Sequence, residues 1–414
     1  MNKLSINSSR LISEINTLAT YSDAPAPAVT RILYSEQDQK AREWLRTLIT
    51  DAGLTIREDG LGNLYARWEG SDPTLPAIGT GSHIDAIPYS GKYDGVVGVL
   101  GALEAFRALK EAGIEIKRSL ELVMFTAEEP TRFGIGCLGS RAMAGTLQPA
   151  DLPNMSDGEG NRLDDLRKAA GFSKSLDQVQ LPENYYDSFI ELHIEQGPRL
   201  ERESLDIGIV TSIAAPATLR VILHGDGGHA GATLMPGRRD ALVAATEIIQ
   251  DVELAALESG SADSVATVGL LNVHPGAVNS IPSKVTMEID IRDTQLRSRD
   301  GMVDRVLAKI DEVCTRREIG REIEILNRDE PCQSGSAIIE AAESVTQELG
   351  YSYKKLVSRA YHDTLFMAKI CPTAMVFVPS ENGYSHRPEE FTADDEIVKG
   401  VEVLALTMAS LANR

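Results

Sequence analysis

Aromatic side chains make up only 5% of this chain, too few for a platform on which nucleic-acid bases would stack. Basic residues are also in deficit. The 41 Lys and Arg stand against 61 Asp and Glu, leaving a formal charge of −20. Such a field repels polyanions, so nucleic acid and anionic membrane surfaces are poor partners. An anionic substrate would need local arginines to overcome it. Cysteine is scarce too. Cys137, Cys314, Cys332 and Cys371 are widely spaced and form no Cys-x-x-Cys pair, which reads as reduced structural thiols, not a disulfide frame. No run of about 18 apolar residues occurs, so a spanning helix is not expected. The stretch from Met1 to Asn7 lacks the apolar core of a secretory signal. A soluble, cytoplasmic protein is the expectation. There is no Gly-x-Ser-x-Gly elbow and no phosphate-cradling Walker loop, so serine hydrolase and nucleotidase chemistry lack a signal.

What is present is an α/β chain of 414 residues, long enough that two domains are the default. Residues 35–53, with Ser35 leading into Ala41, Leu45 and Ile49, have the pattern of a capped amphipathic helix. A glycine-rich turn at 60–63 leads into a strand over 64–68. Another strand ends at His83, a long apolar helix covers 96–112, and a strand covers 119–126. This alternation predicts a mixed, mainly parallel sheet with helices on both faces. Residues 148–185 turn polar and read as loops with one short helix near 163–170. The next strand ends at His193.

From about 214 to 329 the order becomes strand, helix, two strands, helix, strand, which is the ferredoxin-like βαββαβ sequence. Residues suited to chemistry resume after Ser358. An inserted lid or dimerisation domain at 214–329 is therefore expected, within a catalytic domain made of 1–213 and 330–414.

Two apolar strands end in acids and imidazoles. One gives Gly81-Ser82-His83-Ile84-Asp85 followed by Tyr93-Asp94-Gly95, and the other Thr126-Ala127-Glu128-Glu129-Pro130. Strand carboxyl ends are where an open α/β sheet builds its site. Adjacent glutamates can divide the labour, one binding a cation and the other moving a proton. A lone histidine is more often structural than a ligand, and His224 and His274 read that way. His83, His193 and His386 each follow an apolar strand, and with Asp94 and Glu129 they make a plausible ligand set for two divalent ions. Asp85 would orient His83. A solvated acidic turn is the bland alternative for Glu128-Glu129, and a plain turn for Asp94-Gly95. The glycines around His229 fit a flexible hairpin or a close approach to a ligand, and spacing alone leaves both open.

These motifs, with His193-Ile194-Glu195-Gln196-Gly197, Gly228-His229-Ala230-Gly231, Asn279-Ser280-Ile281-Pro282, Asp290-Ile291-Arg292-Asp293, His362-Asp363 and Ser385-His386, resemble the binuclear-metal N-carbamoyl amidohydrolases. That group spans allantoate, ureidoglycolate and N-carbamoyl-L-amino-acid hydrolases, and the likeness runs in order along nearly the whole chain. The resemblance implies an aminopeptidase-like catalytic domain. His83, Asp94 and His193 would hold one metal, and Asp94, Glu129 and His386 the other. Manganese is favoured, and zinc, cobalt or nickel suit the same donors. Glu128 would be the general base acting on a metal-bridging water. His229 would act in trans across a homodimer, stabilising the oxyanion. Gln196, Asn279 and Arg292 would bind a small anionic ureide, Arg292 as the carboxylate clamp.

Residues 358–363 and 383–391, together with 23–33, look most like the ureidoglycolate branch, in which Tyr361 and His362 would read the 2-hydroxyl. Allantoate hydrolysis is the nearest rival and N-carbamoyl-L-amino-acid hydrolysis the next. A non-catalytic metal-binding scaffold is the alternative from another class, and the free carboxylate of Glu128 argues against it.

Overall fold

The computed structural model describes residues 4–414. The chain forms two compact units. One comprises the stretch up to Thr211 with Gln333–Ser358 and His362–Arg414, and the other Ser212–Cys332 with Arg359–Tyr361.

The first unit is built on a mixed sheet. Its strands run in the order Ile207–Ile213, Thr373–Val378, Tyr186–Ile194, Ala77–His83, Leu120–Phe125, Leu64–Trp68, Thr55–Glu58, with Tyr353–Ser358 paired to Ile207–Ile213. The four strands from Thr373–Val378 to Leu120–Phe125 are parallel, and their neighbours on either side are antiparallel. The central strands are continuous apolar runs because both faces are covered. Leu122 and Met124 enter one core, with Leu11, Leu45, Phe106 and Leu404 from the flanking helices. Val123 and Phe125 enter the other, with Leu138, Leu163 and Phe172. Helices do cover both faces, as expected. The second is covered by short helices (Leu138–Met143, Leu163–Ala169) and the loop-rich stretch between them.

Parallel register aligns the strand ends. His83 pairs with Phe125, and His193 with Phe377. The carboxyl ends of four strands therefore converge at one edge.

In the second unit the strands Val265–His274, Lys284–Asp293, Ala215–His224 and Gly320–Arg328 form an antiparallel sheet in that order. Alternate residues Leu219, Val221, Met287 and Ile289 pack under the helices Ala241–Leu257 and Leu296–Arg317. The βαββαβ order stands. The first helix starts at Asp240, whose carboxylate accepts the main-chain N–H of Leu242 and Val243. Among the described residues no helix is long and apolar enough to cross a membrane.

Candidate metal centre

Several residues that turn the chain at the sheet edge carry positive φ. Ala127 (+53°) precedes Glu128, Gly95 (+67°) follows Asp94, and Gln196 (+54°) and His386 (+59°) lie on the other loops. Non-glycine residues avoid this region, and where they cluster the surrounding structure must hold them. At Ala127 the hold is a short zipper. Cys137, Leu138 and Gly139 donate their N–H groups to the carbonyls of Glu128, Ala127 and Thr126 at 2.7, 2.8 and 2.8 Å.

Asp94 lies at the centre. Its Oδ1 is 3.2 Å from His193 Nε2 and 3.6 Å from His83 Nε2, while its Oδ2 is 3.2 Å from His386 Nε2. His386 Nε2 is also 3.4 Å from Glu129 Oε1. Two ligand sets share this one carboxylate: His83, Asp94 and His193, and Asp94, Glu129 and His386. Glu128 belongs to neither, and its Oε2 lies 3.7 Å from His83 Nε2.

The imidazoles of His83 and His193 are locked by the main chain. His83 Nδ1 is 3.0 Å from the carbonyl of Asp85, and His193 Nδ1 is 2.9 Å from that of Ile194. A carbonyl can only accept, so each Nδ1 carries hydrogen; Nε2 of each ring faces Asp94, and that of His193 also lies 3.2 Å from the Gly95 main-chain nitrogen.

The electrostatics favour a cation. Burial pushes the Glu128 carboxyl well above the usual range, with Glu129, Asp363 and Asp94 adding to the rise and His83 opposing it. Burial, then the charge of Asp94, carries Glu129 up to about 7. Burial also works against the charge on Asp94, but bonds from His193, His386 and His83 outweigh it and hold this carboxylate well below its ordinary value. The hydrogen bond to Asp94 lifts His386 to about 9. The carboxyls of Asp94, Glu128 and Glu129 and the Nε2 atoms of three imidazoles are thus crowded together. Mixed imidazole and carboxylate donors without thiolate fit divalent Mn, Zn, Co or Ni.

Residues 79–410 match the profile of peptidase family M20/M25/M40. The chain belongs to this family. It is 50% identical over 412 residues to the ureidoglycolate hydrolase of Oryza sativa subsp. japonica, covering 98% of this chain and 85% of that one. The ureidoglycolate hydrolase of Arabidopsis thaliana is 49% identical over 416 residues, covering 99% and 87%. Among solved structures, AtUAH in complex with (S)-hydroxyglycine superposes with a TM-score of 0.89 at 48% identity, over 99% of this chain and 98% of that one. The chain is thus a C–N hydrolase of the M20/M25/M40 family.

Other anticipated residues take varied positions in this M20/M25/M40 chain. Asp85 supports the centre differently from the expectation. Its carbonyl, not its carboxylate, meets His83, and the carboxylate oxygens accept the N–H groups of Glu128 and Glu129 at 3.3 and 3.1 Å. Gln196 points its Nε2 at Asp94 Oδ2 (2.8 Å), and its Oε1 is buried without a hydrogen-bond partner. His362, expected beside the substrate, is buried, with its ring edge-on to His193 at 4.6 Å and Nε2 2.9 Å from Ser358 Oγ. That packing props the ligand imidazole. In a third grouping, Glu191, His193 and His362, most donor atoms are already engaged. Both oxygens of Glu191 already accept hydrogen bonds, from Ser82 and Thr364, and His193 Nδ1 is engaged.

In the second unit His229 is exposed, and its Nδ1 accepts the N–H groups of Gly231 and Ala232 at 3.1 and 3.2 Å. In the neutral ring this leaves hydrogen on Nε2, an outward-facing donor. His229 and Asn279 line one cleft of about 360 Å³. The Arg292 guanidinium is not free. It pairs with Asp290 through Nε (2.7 Å) and Nη2 (3.2 Å), and Nη1 donates to the Arg359 carbonyl. The Tyr361 hydroxyl donates to the carboxylate of Asp329.

Two contacts were missed by sequence reasoning. Cys137 Sγ lies 3.4 Å from Glu128 Oε1, which makes this buried thiol a neighbour of the candidate base. Glu390 Oε1 accepts the N–H groups of Tyr93 and Asp94. No spacing marks either, because both depend on turns that bring distant segments together.

Proposed function

We propose that this protein hydrolyses the ureido C–N bond of (S)-ureidoglycolate, giving ammonia, carbon dioxide and, through the unstable hydroxyglycine that remains, glyoxylate. The observation that carries the chemistry is Asp94 dividing its two oxygens between two ligand sets while Glu128 stays outside both. The relatives at about 50% identity are named for ureidoglycolate, and AtUAH is described with glyoxylate and with (S)-hydroxyglycine, which supports the choice of substrate.

His83, Asp94 and His193 would hold one divalent ion and Asp94, Glu129 and His386 the other, with manganese the favoured metal. When bound, such a pair would polarise the carbonyl of a poorly electrophilic urea and lower the pKa of water in the site. Glu128 takes a proton from the attacking water and delivers it to the leaving nitrogen. His229 Nε2–H donates to the developing oxyanion, serving the other subunit of a homodimer. Asn279 and Gln196 bind the ureide, and Arg292 receives the carboxylate, which must share the guanidinium with Asp290. The inserted unit, 214–329 in this reading, would act as lid and dimerisation domain.

The direct test is release of ammonia and glyoxylate by manganese-reconstituted protein offered ureidoglycolate and allantoate side by side. Ureidoglycolate is expected to turn over faster. A preference for allantoate would leave the metal chemistry in place and overturn the reading of the pocket. Tyr361 supplies the second prediction. Its hydroxyl donates to Asp329, and in this reading the same oxygen would accept the hydrogen of the substrate hydroxyl. Loss of that bond in Tyr361→Ala costs about 1–3 kcal/mol, or about 5- to 150-fold in kcat/KM for ureidoglycolate. Unchanged kinetics would remove this residue from the pocket.

A further inference from the structure

The two ligand sets are not held equally. His83 and His193 are each fixed through Nδ1 by a main-chain carbonyl and are almost wholly buried. His386 has a side chain 49% exposed, sits at φ +59°, and its Nδ1 makes no hydrogen bond among the described residues. What holds its segment is a side chain further along the same loop. Glu390 is 4% exposed and packs so closely on the 91–94 turn that a Cβ at Gly91 would lie 2.3 Å from its own Cβ. Its Oε1 accepts the main-chain N–H of Tyr93 at 2.8 Å and of Asp94 at 3.1 Å. Its Oε2 lies 2.9 Å from Ser385 Oγ, the residue before His386. Ser385 Oγ is in turn 3.0 Å from Asp94 Oδ2, the oxygen that faces His386, and 3.2 Å from Gln196 Nε2.

We propose that Glu390 and Ser385 form a brace that sets the affinity of the Asp94–Glu129–His386 position, making it the weaker and exchangeable of two metal positions, with His83–Asp94–His193 the tight one. This rests on the two-metal reading above. Glu390 touches no ion or substrate. It is a positioning residue that ties the turn presenting the shared ligand to the loop presenting the exposed one. Partners of this kind typically change metal affinity by about 10- to 100-fold when removed.

The experiment is a manganese titration of the metal-stripped full-length protein by calorimetry, on the wild type and on Glu390→Ala, Glu390→Gln and Ser385→Ala, with His386→Ala marking the position that contains His386. The wild type is expected to bind two ions with affinities at least about tenfold apart, His386→Ala abolishing the weaker. Glu390→Ala should weaken that same step by about 10- to 100-fold and leave the tight step unchanged. Glutamine keeps a carbonyl oxygen for the two N–H groups, and its amide can donate to Ser385, whose hydrogen then goes to Asp94. Glu390→Gln should therefore stay close to wild type, and Ser385→Ala should fall between. If Glu390→Ala leaves the weaker step unchanged, weakens both equally, or is matched by Glu390→Gln, the brace is wrong although the metal pair survives. Wild-type protein that binds fewer than two ions would instead overturn the two-metal reading and the brace with it.

Discussion

Glu128→Gln is expected to lower kcat by about 10²- to 10⁴-fold, the range ascribed to a positioned proton-transfer group, while leaving metal content and thermal stability near wild type. The substitution is isosteric, so packing in this buried position is preserved. What it removes is the capacity to take up a proton and give it back. The geometry reserves that capacity. Glu128 follows the positive-φ Ala127, its N–H is pinned to Asp85, and its carboxylate stands between the Cys137 thiol and His83 without joining either ligand set. The change should appear in kcat and not in KM, because a group acting in the transition state contributes little to ground-state binding. Parallel assays and metal analysis of the purified variant decide the matter. Activity within about threefold of wild type would assign the proton transfer elsewhere.

Gly95→Ala is expected to cripple the centre by another route. A Cβ there would lie 2.5 Å from Cδ2 and Nε2 of His83 and 2.6 Å from Cε1. His83 cannot swing aside, since it is buried and its Nδ1 is tied to the Asp85 carbonyl. Alanine also carries a backbone penalty of about 1–3 kcal/mol at φ +67° and ψ −39°, which lies outside the left-handed helical region. Gly113 separates the two effects. It has nearly the same φ, +68°, but a Cβ there meets nothing within 4 Å. Gly113→Ala should lose only that increment of stability and keep its metals. Gly95→Ala should lose at least as much stability and about 10- to 100-fold in metal affinity besides. Thermal melting and metal titration of both variants provide the check, and equal metal affinity in the two would show that the ring accommodates the methyl.

Much of this architecture was legible because it obeys periodic patterns. Apolar runs ending at His83, Phe125 and His193 read as buried strands, and the strand–helix rhythm after 214 gave the second unit its order. Parallel pairing then put His83, Glu128, Glu129 and His193 at one edge, as the sequence suggested. Contacts that depend on turn conformation had no such signal. Asp85 was expected to hold an imidazole with its carboxylate. The chain instead curls so that the carbonyl does this, and the carboxylate collects the N–H groups of the two glutamates. The edge-on packing of His362 against His193 likewise had no mark in the sequence. The antiparallel strands flanking the parallel core also lack any mark of direction in their residues, because alternation and composition do not encode which way a strand runs.

The placement of Thr373–Val378 has a consequence for how the protein is made. This strand lies between Tyr186–Ile194 and Ile207–Ile213, both of which precede it by about two-fifths of the chain length. Ser212–Cys332, by contrast, is continuous and holds all four strands of its sheet within one stretch of sequence. During translation that inserted segment can complete its own sheet while two strands of the other unit wait with bare edges for a partner not yet synthesised. His386 and Glu390 emerge later still. The nascent chain therefore cannot assemble the candidate cation site until residues 386–390 have left the ribosome, and a ribosome stalled before residue 373 would release a folded insert attached to a sticky, half-built sheet.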